Sequence, residues 1–173
     1  MAQTFTAYFN AVPFAVTRNM GAILNGHATE ILKVYRVGLI NGQTAGITGI
    51  ITELNLRVCQ SAATLTGSTA ITPVSHDTTN TAPTTATYGW QGTVGGSQLV
   101  IRRIIWSTDE PAVSTLTNDE LETFIPLNII WDCGYGDSTL QPMTLRQNQM
   151  MHVWNVTSTA VSTLDTWMEF TKE

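Results

Sequence analysis

Glu53-Leu54-Asn55-Leu56-Arg57-Val58 alternates polar and apolar residues without a break. Successive strand side chains point to opposite faces, so Leu54, Leu56 and Val58 face a core while Glu53, Asn55 and Arg57 face away from it. A helix would scatter the three apolar residues around its circumference. Upstream, from Glu30, the pattern changes. There Ile31, Tyr35, Val37 and Leu39 fill one face of an extended chain, and Leu32, Val34 and Ile40 fill the other. A strand apolar on both faces is expected to be covered on both, by a second sheet and by a further layer such as another subunit. Between the two runs, Asn41 and Gly42, with Gly46 close behind, tolerate the positive φ of a tight reversal. The stretch from Glu30 to Gln60 therefore predicts two long neighbouring strands.

A chain of 173 residues suits one domain, and at this size about 70% of the unfolded surface is buried on folding. Charged residues make up only 12%, about half of the usual share of roughly 25%. Threonine takes their place. It is β-branched and uncharged, which suits the outer face of a sheet and also a surface that lies against other protein. The formal net charge of -5 argues against a nucleic-acid partner, which calls for a basic face. No Lys or Arg falls between Ile104 and Leu145, whereas Asp109, Glu110, Asp119, Glu120, Glu122, Asp132 and Asp137 do. That run reads as a solvated loop region or as one acidic end of the molecule.

Cys59 and Cys133 stand at the ends of predicted strands and are expected as small, buried, reduced thiols. Two cysteines exclude a disulfide framework and a thiolate zinc site. The first residues lack the basic region and apolar core of a secretory signal, and no apolar run approaches about 18 residues. A cytoplasmic site of synthesis and no membrane partner are expected. Asn155-Val156-Thr157 matches a glycosylation sequon, which carries little meaning without secretion.

Residues 1–28 read as an apolar arm in which Phe5, Ala7 and Phe9 alternate with Thr4, Thr6 and Tyr8, and Pro13 marks an edge or a break. The arm is an edge strand, an ordinary first strand of the sandwich, or a contact with a neighbouring molecule, and residues 29–173 form the sandwich. Thr69 to Val74 reads as a short strand, and Ser75 to Thr87 as a long polar loop. Gln98 to Trp106 is a strand with Leu99, Ile101, Arg103 and Ile105 on one face. Thr117 and Glu120 form a capping box with Leu116 and Leu121 as a staple, and Pro126 limits that helix to one or two turns. Phe124 to Cys133, Gln149 to Thr157 and Leu164 to Thr171 return to strand. Met150, His152, Trp154 and Val156 share a face, as do Leu164, Thr166, Met168 and Phe170. Eight to ten strands with no helical crossovers leave an all-β antiparallel sandwich, jelly-roll-like, with at most one short helix.

The residues offer little chemistry. His27, His76 and His152 lie in separate segments, and His76-Asp77 is one or two ligands short of a metal site. His152, beside Met150 and Trp154, reads as a hydrogen-bonded core or interface histidine. No Gly-x-Ser-x-Gly occurs, and Gly92, Gly95 and Gly96 lack the Lys and helix that phosphate binding needs. The acidic run could hold a pair for glycoside hydrolysis, but helix caps and loops already explain several of its members. No catalysis, metal or cofactor is expected.

Val34-Tyr35-Arg36-Val37-Gly38-Leu39-Ile40-Asn41, Ile71-Thr72-Pro73-Val74-Ser75-His76-Asp77 and Pro142-Met143-Thr144-Leu145-Arg146-Gln147-Asn148-Gln149 are framework motifs, joined by Trp167-Met168-Glu169-Phe170-Thr171 near the end. With them the chain resembles small jelly-roll-type structural proteins of tailed bacteriophages, some of which decorate heads. The resemblance implies a virion component that binds the major capsid protein or other virion proteins, and no catalytic residue. A homo-oligomer, a trimer foremost, is expected from the two-sided strand. The expected contact residues are Phe5, Tyr8, Phe9, Phe14, Tyr35, Val37, Leu39, His152 and Trp154. The alternatives are a tail or fibre-tip module that binds host glycans through its loops, and a glycan-active enzyme.

Overall fold

The computed structural model describes residues 3–41, 50–108, 128–134, 140–157 and 163–173. The alternating runs become strands, fourteen in chain order. They are β1 (Gln3–Pro13), β2 (Arg18–Asn25), β3 (Leu32–Asn41), β4 (Ile50–Cys59), β5 (Thr64–Thr66), β6 (Thr69–Ala70) and β7 (Val74–Ser75). Then follow β8 (Thr87–Trp90), β9 (Thr93–Gly95), β10 (Gln98–Thr108), β11 (Asn128–Asp132), β12 (Met143–Leu145), β13 (Gln149–Asn155) and β14 (Thr163–Lys172). No helix occurs among the described residues.

One sheet runs β11-β3-β14-β1-β7, with β12 also paired to β3; the second runs β10-β4-β13-β2-β8-β6; β5 and β9 form a small third sheet. Every pairing is antiparallel. Leaving aside β12 and the five short strands between β4 and β10, eight strands remain. Counted from first to last, they lie in the order sixth, third, eighth, first in one sheet and fifth, fourth, seventh, second in the other. That is the strand order of a jelly roll.

The core lies between the sheets. Phe5, Ala7 and Phe9 of β1 point inward with Thr166, Met168 and Phe170 opposite them on β14, all without exposed surface. From the second sheet come Leu54, Leu56, Met151, Val153 and Ile23, equally buried. Phe170 stacks on Phe5 at 5.5 Å between centroids and on Tyr88 at 5.6 Å, so the β4–β10 connection also closes the core. Phe9 lies over Gly21 of the facing sheet, where a Cβ would stand 2.7 Å from its ring. Buried amides tie the loops down. Asn25 Nδ2 donates to Leu145 O and Glu30 O, both at 2.9 Å, and Asn155 Nδ2 donates to Ala15 O at 3.0 Å.

The structure corrects four expectations. The strands β3 and β4 are not neighbours but lie in different sheets. Nor is β3 apolar on both faces. Its register against β14 shifts between Val34 and Arg36, and the bulge turns the phase of the alternation at Tyr35. Leu32, Val34, Val37 and Leu39 therefore all face the core, which removes the argument for an oligomer that rested on a second apolar face. The N-terminal arm is no appendage: β1 sits between β14 and β7, and β2 between β13 and β8. Thr69 to Val74 divides into β6 and β7, in different sheets. The capping box at Thr117 and Glu120 lies outside the described residues.

Candidate interaction surface

Most of the expected contact residues are enclosed by the chain itself. Phe5, Phe9, Val37 and Leu39 have no exposed surface and Phe14 has 6%, so none of them is available to a partner of this fold. Their apolar character is used by the facing sheet. Tyr8, 42% exposed, and the half-buried Tyr35 and Trp154 retain outward surface. His152 retains none.

The outer face of the first sheet carries the row Tyr8, Trp167, Gly38 and Ile129, directly opposite one another on β1, β14, β3 and β11. Trp167 lies across Gly38, whose missing side chain leaves room for the indole. Gly38→Val should put its methyls into that ring, displace Trp167 and cost about 1–3 kcal/mol. A lowered urea midpoint with a red-shifted tryptophan emission would record it. In the next row, Arg36 Nε lies 3.3 Å from Asp132 and Arg36 Nη1 lies 3.6 Å from Glu169, so the one described acid of β11 is paired within the chain.

Asp165, 7% exposed, accepts the Tyr8 hydroxyl and, at 2.6 Å, the Ala11 N–H. The second bond holds Ala11 at φ 49°, where β1 bulges against β14. Burial and then the Asp165 carboxylate push the Tyr8 phenol up to about 12. Asp165→Ala should cost about 1–3 kcal/mol by leaving both donors unpaired. It should lower the phenol pKa without returning it to 10, because burial is the larger cause. Absorbance titration of the tyrosinates checks the second result.

The outer face of the second sheet is covered in part by β5 and β9. Leu65 and Val94 pack with Ala63 on Ala22, Cys59, Met150 and Trp154 in a second small core. Cys59, free and buried, points its thiol at Ser61 O and Gly95 O. On this face His152 stands opposite Arg57 and meets Trp154 edge to face at 5.6 Å, with the Arg57 guanidinium 5.1 Å from the Trp154 ring. Among the described residues neither His152 nitrogen has a partner, which differs from the hydrogen-bonded histidine expected. Burial, and then Arg57, pushes its pKa down to about 3.

Among the described residues, exposed large apolar side chains occur at Val74 (67%) on β7 and at Leu140 (54%), and several stand where β10 and β11 end their sheets. Leu99, Val100 and Ile105 of β10 are 49%, 55% and 59% exposed, and Ile129 of β11 is 46% exposed. Arg102 spans the two edges, donating from Nη1 to Ile130 O at 2.9 Å, so they share one side of the sandwich. Sequence alternation missed this side. A bulge at Ile101 turns Val100 outward with Arg103 and Ile105, and another at Ile130 does the same work on β11. His76 donates to or accepts from Thr6 Oγ1 at 2.8 Å, while Asp77 is engaged by Thr79. Among the described residues no group of three or more His, Cys, Asp or Glu is placed to hold a metal, and no helix is long and apolar enough to cross a membrane.

Fold and surface together define the class: an antiparallel jelly-roll sandwich with exposed apolar residues along the β10 edge. Comparison with protein-family models, curated proteins and solved structures finds no match for this chain.

Proposed function

We propose that the chain is a structural component of a tailed-phage virion, a decoration protein that binds the major capsid lattice and stabilises the head. The observation that carries this reading is the set of exposed apolar residues along the β10 edge, Leu99, Val100 and Ile105. Exposed apolar groups along one strand suit a lasting protein contact, since water is a poor medium for them. The low share of charged residues, 12%, and the many threonines fit the same use. The jelly-roll strand order and the resemblance of the framework segments are in keeping with it. The proposed role is structural and involves no catalysis or cofactor.

The test is co-sedimentation of the purified chain with phage heads assembled without it. Saturable binding at a fixed ratio to the major capsid protein supports the reading. A chain that stays in the supernatant at every concentration overturns it.

A further inference from the structure

The strand β10 is eleven residues long and, among the described residues, pairs on one side only, with β4. Alternate N–H and C=O groups of such a strand point off the edge and are free to pair with another chain. Proteins blunt long edges with prolines, short strands, bulges or charges, and here the defences are the bulge at Ile101 and the pair Arg102 and Arg103. The two play different parts. Arg102 is turned toward the first sheet and fixed on Ile130 O. Arg103 stands on the outer face, its side chain 67% exposed, bonded to Glu53 at 2.7 Å through one nitrogen.

Arg103 decides what the edge accepts. Antiparallel pairing of β10 with a second copy, centred on the strand, would set Arg103 against Arg103, and like charges directly opposite are destabilising. A carboxylate in that place would instead share the guanidinium, which has donors to spare. The bulge at Ile101 places Val100 and Ile105 on either side of Arg103 on this face, both more than half exposed. The complementary strand is therefore apolar–x–acidic–x–apolar.

We propose that β10 is a strand-addition site for an extended acidic–apolar segment of a partner protein. Main-chain bonds along the free edge hold the segment, and Arg103 with its two apolar neighbours selects it. The inference stands on the edge itself and does not depend on whether the partner belongs to a virion.

The experiment uses the isotope-labelled full chain and two synthetic peptides of alternating threonine and valine, one with a central glutamate and one with lysine there. The glutamate peptide should bind saturably and slow exchange of alternate amides from Arg102 to Ile105, beyond the bulge, at least tenfold. The lysine peptide should bind at least tenfold more weakly. Arg103→Glu should reverse that preference, a result that loss of folding cannot mimic. Absence of binding by both peptides, equal binding of both, or binding without protection in β10 overturns the proposal. So does protection of β10 that grows with protein concentration alone, which would make a second copy the occupant.

Discussion

Deleting residues 2–16 should abolish cooperative unfolding altogether. The segment holds Phe5, Phe9 and Val12 at no exposure and Phe14 at 6%, so four large side chains leave the core together. At about 1.5–3 kcal/mol each, their burial contributes roughly 6–12 kcal/mol, comparable with the whole stability of a domain at about 5–15 kcal/mol. The loss is wider than the side chains. The β1 ladder runs from Gln3↔Lys172 to Pro13↔Thr163, and without it β14 becomes an edge inside a broken sheet. Urea titration followed by tryptophan fluorescence should show no sigmoidal transition. A truncated chain that still unfolds cooperatively would make β1 dispensable and return the segment to the role of a docking arm.

Acid should destabilise the protein through His152 well before its carboxylates are protonated. The unfolded chain takes a proton on this ring near pH 6.5, whereas the folded chain takes it only near 3. The contribution of the neutral ring to stability is therefore complete above pH 6.5 and lost as pH falls toward 3, at about 1.4 kcal/mol per unit. Between pH 7 and pH 5 the loss is about 2 kcal/mol. Arg57 is the charged group directly opposite the ring, and it stays cationic throughout this range. His152→Gln, which cannot take up that proton, should lose about 2 kcal/mol less than the wild type over the same interval. Paired urea titrations at the two pH values measure the difference. Equal losses in the two proteins would mean that His152 is protonated inside the fold, or that the ring is reached by water.

The legibility of the fold tracks the regularity of its strands. Alternation places Leu54, Leu56 and Val58 of β4 inward correctly, and likewise Phe5 and Phe9 of β1 and Leu164 to Phe170 of β14, where the extra residues of the bulges fall on the partner strands. It misplaces residues on β3 and β10, because the bulges at Tyr35 and Ile101 each turn the phase by one residue. A bulge leaves no mark in polarity beyond an apolar residue out of turn, which reads equally well as a second buried face. The Asn41-Gly42 signal is local and cannot tell which sheet the next strand joins. Burial has the same ambiguity at the candidate site. An aromatic run such as Phe5 to Phe14 shows that something covers it, not whether that cover is the same chain or another. The edge of β10, unpaired among the described residues, was invisible for a further reason: strand order is set by pairings distant in sequence, and nothing within Gln98 to Thr108 marks the end of a sheet.

The central claim, a capsid-bound decoration protein, is tested most directly by cryo-electron microscopy of virions assembled with and without this gene. The account predicts jelly-roll density at repeated positions on the head lattice, absent from the particles made without the gene. Heads that are identical in the two preparations would contradict it.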